Sequence, residues 1–423
     1  MRRGSRVEIT NSERMTFQAC RQLWSFMYRE LLRPKRSARP LGVGGAVHAG
    51  CATMYQHIRA AQLASAEATG DFSVALSADE LATVALGGVK KKVSDHLRAL
   101  YELMEQSQGG TDLEELVEES RIVEKEVSSS VERFSRTFGC IDAERYMVLA
   151  VEMPFRQPLL DDRGKATPRA QDNGVMDLVV YDPAVMDFVL CEHKTSGLDA
   201  RKAETKLDMD PQTSGYVWVL RQMVRAGWPH HSTRHRVPDS LKEKMPMPSV
   251  AGTGRVFYNV VRKSGPKQPE WNKDGTLSAA AVDTTRSAYE AALDVQESVG
   301  GPREDGKPQV PKLRTEKQVA RLETLPANGD RWVKRHETWH SLSEQERWRS
   351  EVVVEAGQIR RAIKGTLPII RSPGHCNMPW SMPCTMRGLC REDSPELREL
   401  GFKVVGDPHV EVVESEQEQG LEV

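Results

Sequence analysis

Gly174-Val-Met-Asp-Leu-Val-Val-Tyr181 and Phe188-Val-Leu-Cys-Glu-His-Lys-Thr195 are the two runs whose reading decides the fold. Both are rich in Val and Leu, as strands are, and Tyr181-Asp182-Pro183 marks a turn between them. Fourteen residues separate Asp177 from Glu192. Adjacent strands would aim both carboxylates into one cleft, where they can hold a hard divalent cation such as Mg²⁺ or Mn²⁺. Glu192 and Lys194 are two apart, so they project to one face of a strand and His193 to the other. An ammonium beside the cation can orient an attacking water, or help deprotonate it, and offset charge on a pentavalent phosphorus. The plain alternative is chance, because 60 acidic and 59 basic residues make such spacings common. Against it, these charges lie in apolar strands, where they are costly without a partner or a metal.

Outward from this pair, Asp210-Pro211 reads as the start of a helix, with Asp as N-cap and Pro at the first position. The helix runs through Gln212, Tyr216 and Leu220 to about Ala226, and Gln212 and Tyr216 share one of its faces. Upstream, Arg145 to Glu152 is another strand, whose last residue, Glu152, is expected to face the site. Arg255 to Lys263 is a fourth strand. Residues 11–33 read as one helix with Thr10 and Glu13 at capping-box spacing, closed by Pro34. A second helix starts after Gly44-Gly45 and carries His48 and Tyr55. Residues 77–137 read as further helices. The stretches 229–252 and 264–325 are expected to be inserted loops, with a mobile Gly- and Pro-rich excursion over 296–312. A long helix starts near Ser343, with Glu346 completing its capping box, and ends at Lys364-Gly365. Residues 401–423 read as an acidic, disordered tail. The expectation is one α/β domain over 1–400, with a mixed central sheet, flanking helices and a helical N-terminal part.

These motifs resemble a known family. GVMDLVV…LCEHKTS…QTSGYVWVL is similar to the GxxDlv…EhKT…QxxxY pattern of RecB-like PD-(D/E)xK nucleases, a group that includes AddB-like, CRISPR-associated and phage exonucleases. Leu41-Gly-Val-Gly-Gly-Ala-Val-His48 resembles the family's L-x-x-G-x-x-x-H segment. The resemblance implies a restriction-endonuclease-like sheet, with His48, Asp177 and Glu192 as metal ligands. It also implies that Lys194, Gln212 and Tyr216 line the catalytic site. For His48 the alternative is a core histidine, and for Tyr216 an ordinary helix face. The implied activity is a metal-dependent DNA exonuclease on single-stranded or end-exposed DNA, with a recombination or CRISPR-type protein as a possible partner. The rival reading is a non-catalytic DNA-binding or assembly module.

Cys376, Cys384 and Cys390 fall at C-x7-C-x5-C spacing, with Pro379 and Pro383 between the first two. Three thiolates need a fourth ligand. Ser12 to Arg21 resembles the family segment ending in C-P-R, here without its proline, and implies Cys20. Four thiolates are what a [4Fe–4S] cluster takes, and such a cluster would latch the first helix to the last segment. The x7 spacing is longer than the family's usual x2. A zinc site, free thiols, or Cys51 or His375 as the fourth ligand are the alternatives. Cys51, Cys140 and Cys191 lie in apolar patterns and read as core.

The chain of 423 residues carries a formal net charge of −1, so any basic surface must be local. Candidate phosphate contacts are Arg201, Lys202 and Lys206, then Arg234, Arg236, Lys242 and Lys244. No run is long and apolar enough for a membrane span. Met1 to Met15 lacks the apolar core of a secretory signal, so the expectation is a cytoplasmic chain, in the host cytoplasm if phage-encoded. No G-x4-G-K-[ST] loop is present, which excludes a P-loop ATPase.

Overall fold

The structure is a computed structural model. It describes residues 7–407 apart from 36–38, 107–112, 162, 198–199, 201–206, 208–209, 233–236, 244, 246–252, 264, 281–282, 304–306, 326–330 and 377–383. Arg201, Lys202, Lys206, Arg234, Arg236, Lys244, Pro379, Pro383 and the acidic residues past 407 lie outside it.

The expected mixed sheet is present. Six strands take part: β1 (Val7–Thr10), β3 (Met147–Leu160), β4 (Ala166–Asp182), β5 (Asp187–Ser196), β6 (Arg255–Arg262) and β7 (Val333–Trp339). β3, β4 and β5 form an antiparallel meander, β5 and β6 are parallel, and β7 closes the edge antiparallel to β6. β1 joins β4 in parallel. One face is covered by α3 (Arg39–Thr69), α4 (Ala78–Gln106) and α5 (Leu113–Phe134), through residues such as Val47, Val89 and Val131. The other face packs on α7 (Pro211–Arg225) and α11 (Leu342–Ile363), through Trp218, Leu220 and Val352.

Two features of β4 place the site. On one edge it pairs with β3 along nearly its whole length. On the other it pairs with β5 over Leu178 to Asp182 and with β1 over Ala170 to Asn173, leaving Gly174 to Asp177 without a strand there. The sheet is therefore split where Asp177 and Glu192 would be the next pair. The pleat also breaks at that point. Val151 and Leu178 face the α3–α5 layer, whereas Met153 and Met176, two residues along, face the α7–α11 layer. Residues two apart normally share a face, so both strands roll over at Glu152 and Asp177. Glu152 takes up the turn at φ +46°, a conformation that is costly for a residue with a side chain.

Several elements differ from expectation. The single helix over 11–33 is broken. α1 (Asn11–Ala19) is capped by Thr10, whose Oγ1 accepts the Glu13 N–H at 3.2 Å. The chain is extended at Cys20 and resumes as α2 (Arg21–Trp24), a wider turn over Ser25–Arg29, and β2 (Leu32–Pro34). The break is held from outside, since the Gln22 N–H donates to the Ile370 carbonyl at 3.2 Å. α3 runs through Gly44-Gly45 instead of starting after them. The bare Cα atoms of Gly50 and Gly88 let α3 and α4 meet where a Cβ would strike Val89 and Thr53.

α11 is capped two residues earlier than expected, by Ser341 with Glu344, because Glu346 is engaged by Arg349 (2.9 Å) and Arg221. Residues 401–404 are not tail, since β8 (Phe402–Val404) pairs antiparallel with β2. The stretch 264–325 is more than loop. It folds α9 (Arg286–Ser298) and α10 (Glu316–Thr324) around Leu277, Tyr289, Leu293, Leu322 and Leu325. Within 229–252, α8 (Asp239–Lys242) is helical, and Lys242 is paired with Asp239 at 2.8 Å. Among the described residues no helix is long and apolar enough to cross a membrane.

Two glycines test the packing with opposite signs. A Cβ on Gly215 would run into the Trp348 indole between α7 and α11, whereas one on Gly87 in α4 meets nothing. Gly215→Ala should destabilise by roughly 1–3 kcal/mol through overpacking, and Gly87→Ala should stabilise by about 0.5–1 kcal/mol through helix propensity. Urea denaturation of the two variants checks both.

Candidate active site

The chemistry gathers at the split. His48 comes from α3, Glu152 from β3 and Asp177 from β4. One ligand atom from each can be chosen so that all lie within 4.8 Å of one another. His48 Nδ1 is 3.4 Å from Asp177 Oδ1, and the other Asp177 oxygen accepts the main-chain N–H of His193 at 2.7 Å. That N–H stands where β5 has parted from β4, so the Asp177 side chain takes the place of a ladder carbonyl.

Glu192 and Lys194 lie on the opposite side of β5 from His193, as the spacing requires. Lys194 Nζ donates to Gln212 Oε1 at 2.8 Å, and is 3.4 Å from both Glu192 Oε2 and Asp210 Oδ2. Gln212 Nε2 donates in turn to the Tyr216 hydroxyl at 3.1 Å. Asp210 therefore does two things, capping the Gln212 N–H with one oxygen and facing the lysine with the other. Its capping role alone was legible in the sequence. Gly174 lets the Phe155 and Tyr216 rings close over the strand, where a Cβ would come within 2.8 Å of Phe155 and 3.0 Å of Tyr216.

The electrostatics follow from burial and crowding. Burial and the neighbouring Asp177 push Glu192 up to about 8. Burial also disfavours the Asp177 carboxylate, but His48 and the His193 N–H outweigh it and hold Asp177 well below the usual range. For His48, burial is overcome by Asp177, Glu152 and Glu192, which raise it to about 9. Lys194 is held above its ordinary value, with burial opposed by Glu192, Asp210 and Asp177, so it stays an ammonium. Burial keeps His193 neutral by pushing it down to about 3.

A divalent cation fits this donor set. Glu192 Oε1 is buried without a hydrogen-bond partner among the described residues. Buried carboxylates crowded onto one imidazole are what a hard cation relieves. His48, Glu152 and Asp177 would hold it, with Glu192 alongside. Of these, Glu152 carried the weakest sequence signal, since it lies in no spaced motif.

A family model described as the PD-(D/E)XK nuclease superfamily matches residues 8–391. The chain belongs to that superfamily. No curated protein matches the chain. Nucleases of this superfamily use divalent metals, and the cluster of His48, Glu152 and Asp177 is a candidate site for one.

The cysteines divide into two groups. Cys51 and Cys191 are buried against the α3–α5 layer and Cys140 packs beside them. Cys20 lies at the break between α1 and α2, and Cys376, Cys384 and Cys390 come from the C-terminal segment. Burial raises the Cys384 and Cys390 thiols, and the other members of this second group raise them further. None of the four is in a disulfide, and Cys384 and Cys390 pack on a small cluster of Phe26, Leu32, Met386 and Leu389.

Gly174→Ala should push Tyr216 away from Gln212 and loosen Lys194. We expect activity to fall about tenfold or more, since misplacement of a catalytic group by ~1 Å costs on the order of 10²-fold, while stability falls by no more than roughly 1–3 kcal/mol. Steady-state rates and melting curves on the same preparation separate the two effects.

Proposed function

We propose that this protein is a divalent-metal-dependent deoxyribonuclease, acting as an exonuclease on DNA with a free end that is at least partly single-stranded. The observation that carries the reading is the orphaned Glu192 oxygen between Asp177 and the Lys194 ammonium. The preference for DNA ends rests on the likeness of the Asp177, Glu192 and Gln212–Tyr216 segments to RecB-like exonucleases. We read residues 8–391 as one nuclease domain that carries the small helical unit of 264–325.

His48, Glu152, Asp177 and Glu192 would hold the metal, with Mg²⁺ or Mn²⁺ as the ions of choice. When bound, the ion supplies Lewis acidity toward a phosphate oxygen and an attacking water. Glu192, Asp210 and Asp177 favour the Lys194 ammonium, which donates hydrogen bonds in that state. Held by Gln212 and flanked by Asp210, its ammonium can orient water and stabilise charge on the scissile phosphate. Tyr216 fixes the Gln212 amide and thereby the direction of the lysine. Glu192, which favours a proton when no cation is near, would lose it to the metal.

Asp177→Ala, Glu192→Ala and Lys194→Ala should each lower the cleavage rate on end-labelled DNA by on the order of 10²-fold or more, with folding retained. Full activity in purified Asp177→Ala would overturn the assignment. Salt-dependent DNA binding by the wild type without any cleavage, in Mg²⁺ or Mn²⁺, would instead favour a non-catalytic DNA-binding module.

We further propose that Cys20, Cys376, Cys384 and Cys390 ligate a [4Fe–4S] cluster. The support is their meeting at one point between the chain ends, with thiol protons that a metal would have to displace. Anaerobically purified protein should contain iron and sulfide. Cys384→Ala should lose both, and Cys140→Ala should keep them. Stoichiometric zinc in their place would make the site a zinc latch.

A further inference from the structure

Behind the candidate metal site, a buried polar network runs from the edge strand to His193. Arg335 on β7 uses all three of its nitrogens. Its Nη1 and Nη2 donate to Asp142 Oδ1 and Oδ2 at 2.7 and 2.8 Å, and its Nε donates to Asn259 Oδ1 at 2.7 Å. From there two arms reach His193. Asn259 on β6 brings its Nδ2 to 3.4 Å from His193 Nδ1. Asp142 Oδ2 accepts the Tyr55 hydroxyl at 2.6 Å, and the Tyr55 ring stacks on the His193 imidazole with centroids 5.7 Å apart. The His193 main-chain N–H then donates to Asp177.

We propose that this network, with Arg335 at its root, is a positioning device for Asp177, and so for metal affinity; the inference rests on the metal-site reading above. Its logic lies in the split sheet. At His193 the strand has lost its β4 ladder partner, so on that edge the N–H that orients Asp177 is not held by pairing. The clamp on the imidazole supplies that restraint from the α3 and β6 sides. A buried imidazole suits the task, because it bridges the Asn259 amide and the Tyr55 ring. Residues that orient a metal ligand in this way typically alter metal affinity by about 10–100-fold when removed.

The test compares Asn259→Leu, which cuts one arm at nearly constant volume, with Tyr55→Phe, which keeps the stacked ring and removes its hydroxyl. Gln345→Leu is the control: it breaks a buried amide bonded to the Thr253 and His340 carbonyls, with no link to His193. Mn²⁺ binding, followed by the loss of the free-ion paramagnetic resonance signal, is measured on folded protein without DNA. Asn259→Leu should bind Mn²⁺ about tenfold more weakly or worse, Tyr55→Phe should shift the same way by less, and Gln345→Leu should bind as wild type while melting lower. At saturating Mn²⁺ the cleavage rate of Asn259→Leu should recover most of its wild-type value. Wild-type Mn²⁺ affinity in Asn259→Leu would overturn the inference. If that variant does not fold, Asn259→Ser takes its place under the same criterion. A wild type that binds no Mn²⁺ at all would sink the metal-site reading instead, which keeps the two failures distinct.

Discussion

Three carboxylates share one register line of the sheet. Val151 pairs with Leu178 and Met153 with Met176, so Glu152 stands opposite Asp177; Leu178 pairs with Cys191, so the next residue, Glu192, falls on the far side. Like charges on neighbouring strands are destabilising, and more so when buried. The fold answers by ending the β4–β5 ladder at that line, by rolling β3 and β4 over at Glu152 and Asp177, and by setting two cationic groups beside the carboxylates, His48 from α3 and Lys194 from β5. Every other feature of the site serves this arrangement. α3 must pass close enough to deliver His48, and α7 must start where Asp210 and Gln212 can reach Lys194.

How far the sequence revealed this depends on the range of the interactions involved. β4, β5, β6 and α7 were legible because their signals are local: apolar runs, a turn, and an Asp-Pro helix start. The facing of Glu192 and Lys194 away from His193 follows from the period of a strand alone. By contrast, β7 carries Lys334, Arg335, His336 and Glu337 in a row, so no alternation announced an edge strand. The break at Cys20 is imposed by Ile370, some 350 residues away by the numbering. The network of Tyr55, Asp142, Asn259 and Arg335 has no fixed spacing and could not be read before the fold was known. Glu152 lies between. Its place on a strand was visible, but the strand does not end there as expected: it runs on to Leu160, past a turn at Glu152 with φ +46°.

The chain ends illustrate how one function can be spread over several weak contacts. β2 pairs with β8, the Lys35 N–H donates to the Gly401 carbonyl at 3.0 Å, and Arg398 reaches Glu30 at 2.8 Å. Each is modest, since short two-stranded ladders and partly exposed ion pairs contribute little alone. They nonetheless bring the ends into register before any thiol is considered. The packing of Cys384 and Cys390 on the Phe26 and Met386 cluster accompanies this backbone pairing. A latch built on the cysteines would therefore strengthen a closure that already exists, and its loss would loosen the ends without abolishing their pairing.

The two cations at the split are not equivalent, and the difference follows from their chemistry. Lys194 is surrounded by Glu192, Asp210 and Asp177 and stays protonated across the range in which proteins work. An ammonium has no lone pair, so it can only donate. His48 is also held charged, to about 9, but by contact with the same carboxylates that would bind a metal. Those carboxylates oppose release of its proton, but a divalent ion bound among them would offset the same negative charge. Once neutral, its imidazole becomes a ligand. The α3 side of the sheet thus carries a cation that a metal can replace, and the α7 side one that it cannot. That asymmetry accords with the proposed roles, in which His48, Glu152 and Asp177 would hold a metal and Lys194 would face phosphate and water, with Glu192 between the two.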